Sequence, residues 1–492
     1  MNSRHAIVIS LVPLARLPLP GAEIPAFDPV SKRLLITSAS DVHVFEMRDP
    51  PGLLGVGFAR LGSRGDDVTH VAIDPAGRGF AAASVVPEKF GTRHGHVVFI
   101  DPVTLREVGR VAVGHNPDSC AFSPGGEFLV VANEGQPQVF ESGEIVDPPG
   151  SVTVVDLREV RGVSDLAALG ESRVKTMLLS GPVLDAAMAS QTPPRISPRL
   201  AHSPALDLEP EYVAVPNNQI AYVSLQENNA IAEISLDPPE VRRIVGLGLV
   251  VRDLDGSDLD GPLGSTWLVE TAPMPDQIAT FGIGGRRYLA LAEEGDTRGT
   301  RSAAEANGLS DVARLSDLAS WWGVDEDQIP KDVASRNRLG RLHVLIDLAD
   351  KDENGRVDSV AVPGSRSLGI YDAETLERVG DTGSHLEISS LALFGDDSRS
   401  DDRGPEPEGV VIASFGGGTF AFVSLERPGA LACVDLGEPE RPRLVSIYPS
   451  AWDGDLGPEG MCIIDLPGGR TGLVVCYETS GTVVMYEIVL RD

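Results

Sequence analysis

Five stretches of the chain share one layout, and that layout constrains the fold more than any other feature. They are "NPDSCAFSPGGEFLVVANEG" (116–135), "EPEYVAVPNNQIAYVSLQENN" (209–229), "MPDQIATFGIGGRRYLALAEEG" (274–295), "EPEGVVIASFGGGTFAFVSLER" (406–427) and "GPEGMCIIDLPGGRTGLVVCYETS" (457–480). Each opens with proline and an acid. A short apolar strand follows, then a turn with Gly or Asn, then a second apolar strand that ends at a glutamate. In most a third strand comes next, such as "GSVTVVDL" (150–157) or "ALACVDL" (430–436). Two weaker copies begin near Glu23 and Asp67. Seven such units at a coarse period above 40 residues predict an all-β chain, a seven-bladed β-propeller of four-stranded blades around a channel. The last unit shows three clear strands. The N-terminal run "HAIVISLVPLARLPL" supplies the fourth, closing the ring and removing an exposed edge.

Residues 1–492 therefore read as a single propeller domain, with a two-domain all-β protein as the alternative. Three insertions break the period. Residues 158–205 read as mixed helix and coil, and residues 251–272 as an acidic loop. Residues 296–338 carry a helical pattern at 309–324 and interrupt the fifth unit after its second strand. A partly helical insertion over one face is the expectation, and long insertions of this kind often serve as lids or binding loops.

With 42% hydrophobic residues the chain folds despite its many glycines and prolines. A net charge of −31 repels phosphate backbones, which excludes nucleic acid as a partner and favours cations. The same acidity also reads simply as a solubility device. Cys120, Cys433, Cys462 and Cys476 fit no zinc spacing and lie in apolar runs, as buried thiols do. Cys462 and Cys476 could face each other on neighbouring strands, leaving one disulfide open. The N-terminus, broken by Pro13 and Arg16, makes a poor signal peptide. No stretch approaches the roughly 20 apolar residues of a membrane span. The chain as written reads as a soluble monomer, cytoplasmic or lacking its leader.

The repeat places acids at two points. Asp118, Glu211, Asp276, Glu408 and Glu459 open the innermost strand. Glu134, Glu227, Glu294, Glu426 and Glu478 close the next one, at gaps of 16, 16, 18, 18 and 19 residues. Consecutive antiparallel strands put both sets on one face, so they ring one mouth of the channel. Crowded carboxylates raise one another's pKa unless a cation intervenes. A hard divalent cation bound by oxygens, Ca²⁺ above all, is the natural answer, with a second metal left open. The competing reading is turn chemistry copied by duplication, with acids capping backbone N–H groups.

Further candidates lie outside the repeat. "DKDENGRVD" supplies Asp350, Asp352, Asn354 and Asp358 in the first nine positions of an EF-hand-type loop, but Ala361 stands where the bidentate glutamate belongs. Strand-like runs at 342–348 and 357–362 make it a calcium-clipped hairpin or an ordinary Asn-Gly turn. "DLDGSDLDG" (253–261) is a weaker cation candidate. Arg298, Arg366 and Arg403 adjoin the acidic motifs, where they either receive an anionic small-molecule substrate beside the metal or pair with neighbouring acids. His385 is an acid, base or ligand candidate, or a structural histidine. Asp401 and Asp402 have no repeat equivalents and read as solvated loop. No nucleophile elbow, zincin helix, P-loop or dinucleotide fingerprint is present.

"DLEPEYVAV", "AYVSLQENNAIAEISL", "EEGDTR", "GRLHV", "GSRSLGIYDAETLERVGDTG", "DDRGPEPEGV", "AFVSLERPGALACVDL", "GDLGPEGM" and "ETSGTVVMYEI" together resemble the bacterial choice-of-anchor I family, over residues 110–490. That family is similar in turn to the mesenchyme-specific cell-surface glycoprotein domain. The resemblance implies a β-propeller found in secreted or surface-anchored proteins, whose members are often labelled alkaline phosphatase or fused to phosphoesterase domains. The chain departs from the family in showing no clear signal peptide or C-terminal anchor. By fold analogy, carboxylate-ringed propellers include calcium-dependent phytases, lactonases and metal-dependent alkaline phosphatases, where metals neutralise an oxygen and acidify bound water. Two functions follow as expectations: a metal-dependent hydrolase of phosphate esters, or a non-catalytic, calcium-stabilised scaffold for protein or cell-surface interaction.

Overall fold

The computed structural model describes residues 8–49, 51–140, 142–197, 203–298, 310–318, 335, 337–349 and 359–491. Among them are seven four-stranded antiparallel sheets. Blade 1 holds Ala22–Asp28, Arg33–Ser38, Asp41–Arg48 and Gly52–Arg60; blade 2 holds Asp67–Ile73, Ala81–Val86, His96–Asp101 and Arg106–Ala112. Blade 3 combines Pro117–Phe122, Phe128–Asn133, Ser151–Asp156 and Val174–Leu178; blade 4 runs through Pro210–Ala214, Ile220–Leu225, Ala230–Leu236 and Pro239–Gly246. Blade 5 is Ile278–Ile283, Arg286–Glu293, Ser367–Asp372 and Arg378–Asp381, and blade 6 is Pro407–Phe415, Gly418–Leu425, Ala430–Asp435 and Arg443–Tyr448. Blade 7 takes three strands from one end of the chain, Pro458–Leu466, Arg470–Tyr477 and Thr482–Arg491, and its fourth, Val8–Pro18, from the other.

The sequence pattern explains why these sheets close on themselves. Second strands are apolar at nearly every position, so both of their faces need cover. All six residues of Ala81–Val86 are buried. Alternate side chains point to opposite faces. Ala81, Ala83 and Val85 pack with Leu35 and Val44 of blade 1, while Ala82 packs with Phe122 and Val131 of blade 3. The same holds around the molecule: a hydrophobic core lies between each pair of successive blades, and one containing Leu34, Ile36, Val474 and Cys476 joins blade 7 to blade 1. First strands touch in the same cyclic order. The ring is a propeller closed by the N-terminal strand, which pairs antiparallel with the last one from Ile9↔Leu490 to Pro18↔Thr482.

Two insertions differ from expectation. Residues 158–205 hold helices Val163–Leu166 and Pro182–Met188, but also Val174–Leu178, the outer strand of blade 3. Its few apolar residues suffice because an outer strand covers only one flank of its blade. Residues 251–272 are not a loop. Val250–Asp255 and Thr266–Ala272 form a hairpin, joined in parallel by Ala361–Pro363. Its apolar residues Leu254 and Val269 pack with Leu315, Leu342 and Val344 from the next insertion, a tertiary partner the acidic composition conceals. Of the helical pattern at 309–324, one short helix, Leu315–Leu318, lies within the described residues. The run at 342–348 is a short strand, His343–Leu345, followed by helix Ile346–Ala349. All four cysteines are free thiols, so Cys462 and Cys476 form no disulfide. Among the described residues no helix is long and apolar enough to cross a membrane.

Ring closure makes a direct prediction. Leu11 pairs with Ile488 and is 8% exposed in the core between blades 6 and 7. Leu11→Ala should lower unfolding free energy in urea by about 2–4 kcal/mol, through lost burial and the cavity left behind. Leu268→Ala, at a position 76% exposed, should change it by less than about 0.5 kcal/mol.

Candidate metal centre at the channel mouth

Most of the inner-strand carboxylates owe their placement to a defect at the start of the strand. In blades 3, 4, 6 and 7 that strand starts with proline, and the proline pairs with the last residue of the second strand: Pro117↔Asn133, Pro210↔Leu225, Pro407↔Leu425 and Pro458↔Tyr477. Proline donates no hydrogen bond to continue the ladder. The register then shifts at once, so the acid and the residue after it sit in a β-bulge. Bulges bend a strand and re-aim side chains. The bulged N–H groups find other acceptors: Tyr212 N–H donates to Ser224 Oγ at 3.0 Å, and Gly409 N–H to Ser424 Oγ at 2.7 Å.

A second device brings the two sets of acids together. Two residues before the acid, the backbone turns left-handed, at Asn116, Met274, Glu406 and Gly457. The carbonyls of Asn116, Glu406 and Gly457 accept the N–H of Glu134, Glu426 and Glu478, at 2.8, 3.1 and 2.8 Å. In blade 5 the N–H of Gly295, next to Glu294, bonds Met274 at 3.1 Å instead. This short bond ties the second acid to the start of the inner strand, which is why its position holds while the turn between the strands varies in length.

All ten carboxylates at the two repeated positions line one mouth cavity of about 690 Å³, together with Arg298 and Arg403. Blade 1 carries the same bulge with Glu23 at the acid position, lining the cavity; blade 2 carries it too, but there Asp67 pairs with Val86 in the place of the prolines and Val68 takes the acid position. Sequence reasoning treated these blades as weak copies and passed over Glu23. The usable signal was the spacing Gly21-x-Glu23, which repeats Gly457-x-Glu459, with a left-handed glycine in each case. Glu209, Asp296, Arg427 and Tyr212 also line the cavity and belong to no repeated acid position.

Burial dominates the electrostatics. It pushes Asp118 up to about 7 and, helped by neighbouring carboxylates, Glu23 up to about 8. Glu294 rises to about 8 even though Arg403 pulls it down. Glu211, Glu227, Asp276, Glu408 and Glu459 all move well above the usual carboxylate range, through burial first and neighbouring negative charge second. Four oxygens in this set, Oε2 of Glu211, Glu227, Glu408 and Glu459, are buried with no hydrogen-bond partner. A buried polar atom left so is costly. Ligand oxygens gather in two places: Glu134, Glu211 and Glu227 lie within 4.8 Å of one another, and so do Glu294, Glu406 and Glu426. Oxygens on opposite sides of a calcium ion are about 4.6–5.2 Å apart, so both groups match a hard cation of that size.

The arginines are placed differently from one another. Arg298 pairs with Glu209 at 2.9 Å and Asp311 at 3.3 Å, and donates to the Asp207 carbonyl at 2.7 Å. Arg403 pairs with Glu294 at 2.7 Å, Asp296 at 2.9 Å and Glu406 at 3.0 Å. Arg366 does not reach the cavity. It is 1% exposed, pairs with Glu387, and donates to the carbonyls of Asp255, Ser400 and Asp402, clipping the acidic hairpin and the 400–402 loop to blade 5. His385 is exposed at the start of helix His385–Phe394, away from the mouth. In the 253–261 stretch, Asp255 accepts the N–H of Leu263 at 3.0 Å and Asp258 pairs with Arg341 at 2.7 Å, so these carboxylates are already engaged. Asp401 and Asp402 are not solvated loop. Asp401 is buried against Arg314 and Arg341, and Asp402 bonds His343 at 2.9 Å. Against the upward push of burial, His343 and the nearby arginines hold Asp402 well below the usual range. Asp350, Asp352, Asn354 and Asp358 lie outside the described residues.

Comparison with known proteins adds family and fold. Residues 23–439 match the choice-of-anchor I domain family. Gigasin-3a of Magallana gigas is 29% identical over 185 residues, a match covering 30% of this chain and 64% of that protein, less than two thirds of its length. A chain in the crystal structure of the mitotic checkpoint complex covers 99% of this one, and is covered over 98% of its own length, with a TM-score of 0.50 at 8% identity. Kuenenia stuttgartiensis hydrazine synthase covers 95% of this chain, with 96% of its own length covered, at a TM-score of 0.49 and 14% identity. At 8% identity the likeness to the checkpoint-complex chain concerns fold alone.

The raised carboxylates make stability depend on pH. An unfolded chain loses these protons near pH 4, whereas the folded mouth keeps several until pH 7 to 8. Between those limits the unfolded state binds fewer protons, so stability falls as pH rises and levels off above about 8. Metal-free protein should therefore melt several degrees lower at pH 8 than at pH 5 in calorimetry. Glu211→Gln should shrink that difference.

Proposed function

The chain belongs to the choice-of-anchor I family, and on that footing we propose that its channel mouth binds a hard divalent cation, calcium by preference, in a propeller that works as a binding scaffold. One observation carries this reading: Glu211 and Glu227, 8% and 6% exposed, each bury an Oε2 that has no partner, within 4.8 Å of ligand atoms on each other and on Glu134. An all-carboxylate donor set suits calcium or magnesium and is foreign to soft metals. Glu134, Glu211 and Glu227 would hold the ion. Asp118, Asp276, Glu408 and Glu459 complete the negative field around it. When bound, the ion supplies the positive charge that lets these acids ionise at neutral pH. The chain's own part is to hold the carboxylates in place through the bulges and the bonds from Asn116 and Gln136 to Glu134, at 2.6 and 2.8 Å.

The hydrolytic reading needs a free guanidinium beside the cation to receive an anionic group. Arg298 and Arg403 are each engaged by two or more carboxylates and are nearly buried, which favours the scaffold over the phosphoesterase.

Metal analysis of purified protein and calorimetric titration of EDTA-stripped protein test the proposal. Calcium should bind with at least one equivalent, and Glu211→Gln with Glu227→Gln should weaken it by more than about tenfold, since each removes a charged ligand. Unchanged metal content in that pair would refute the assignment. p-Nitrophenyl phosphate should not be turned over in a chelator-sensitive way; if it is, the hydrolase reading replaces the scaffold.

A further inference from the structure

We propose that Arg403 serves the second carboxylate group, Glu294, Glu406 and Glu426, as a tethered cation in place of a metal, so that of the two groups the one between blades 3 and 4 takes the exchangeable calcium. The inference rests on the cation-binding reading above. It starts from a near-symmetry. Each group combines the closing glutamate of one blade (Glu134 or Glu294) with an acid at the start of the next blade's inner strand (Glu211 or Glu406). The closing glutamate of that second blade (Glu227 or Glu426) completes it. The groups are alike in the type and number of their ligands; they differ in that Glu211 holds the repeated acid position, whereas Glu406 lies two residues before its blade's own, Glu408.

Their counter-charges are not alike. In the blade 5–6 group, Arg403 bridges Glu294 and Glu406, at 2.7 and 3.0 Å, with its side chain 8% exposed. Arg427 covers the third member, pairing with Glu426 at 3.1 Å and again with Glu406 at 2.9 Å. Arg399 adds a further bond to Glu406 at 2.6 Å. The planar guanidinium fork suits this bridging of carboxylates. In the blade 3–4 group, among the described residues, neither Glu211 nor Glu227 has an ion pair, and each retains a buried oxygen without a partner. Arg298, the arginine nearest in kind, is turned to Glu209, Asp207 and Asp311.

Aligning the repeats locates the cause. Glu406 corresponds to Glu209, so Arg403 corresponds to Leu206; Glu426 corresponds to Glu227, so Arg427 corresponds to Asn228. Blade 6 has arginine at both positions where blade 4 has a neutral side chain. A three-carboxylate group is thereby built twice, once with its positive charge attached to the chain and once requiring it from solution.

Calcium stoichiometry by titration calorimetry, with equilibrium dialysis as a second count, tests this on the full chain. Arg403→Met should bind one calcium more than the wild type, and its melting temperature should be lowered in EDTA and recovered in calcium. Arg403→Lys, which keeps the charge, should match the wild-type count. In the reverse direction, Leu206→Arg should weaken wild-type calcium binding at least tenfold, which keeps the proposal open to refutation if Arg403→Met does not fold. A folded Arg403→Met with the wild-type count, or Leu206→Arg with unchanged affinity, overturns it while the cation-binding reading stands. A wild type that binds no calcium sinks that reading; if Arg403→Met then binds none either, both fall.

Discussion

Every blade in this molecule is apolar on both faces, and a closed ring is the arrangement that buries all of them. The core shared by blades 7 and 1 depends on the same alternation as the other six. Closure needs the antiparallel pairing of Val8–Pro18 with Thr482–Arg491, so two segments more than 460 residues apart complete one sheet. Removing an exposed edge in this way also removes a template for pairing with other chains.

The mouth follows from closure. The starts of the inner strands bring acids from six blades toward one axis, and in all of these but blade 5 a bulge after the start sets their direction. Burial and mutual repulsion work against ionising them there, and the chain answers in two ways. On the side of blades 4 to 6, arginines from the insertions and the 399–403 loop fill the gaps between carboxylates. Orphaned oxygens remain on Glu211, Glu227, Glu408 and Glu459, and on the side of blades 3 and 4 two of them, on Glu211 and Glu227, fall within one ligand group, which is the physical ground for assigning a cation there.

Repeated features were legible and singular ones were not. Asp118, Glu211, Asp276, Glu408 and Glu459 stood out because the same acid followed proline five times. Glu23 did not, because its blade lacks both the proline and the closing glutamate, although the bulge is the same. Arg366 looked like a neighbour of the acidic motifs, yet its chain direction at a left-handed residue sends it to Glu387 and three backbone carbonyls. Asp401 and Asp402 read as solvent-facing for want of repeat partners. Their partners, Arg314, Arg341 and His343, come from an insertion about 60 to 90 residues earlier in the chain.

The sequence alone determined the all-β class, the number of blades, the closing N-terminal strand and the two heights at which acids recur. All of these are periodic, and period survives in a linear string. The tertiary structure decided which carboxylates keep an unpaired oxygen and which are neutralised by arginine. Glu227 and Glu426 occupy the same place in the repeat, and what separates them is whether an arginine lies against the carboxylate: Arg427 pairs with Glu426, while Glu227 has no such pair among the described residues. For this pair the difference can be read from the sequence, Arg427 against Asn228, but the bond from Arg403 to Glu294, 109 residues away, is a matter of distance in space that spacing along the chain does not encode.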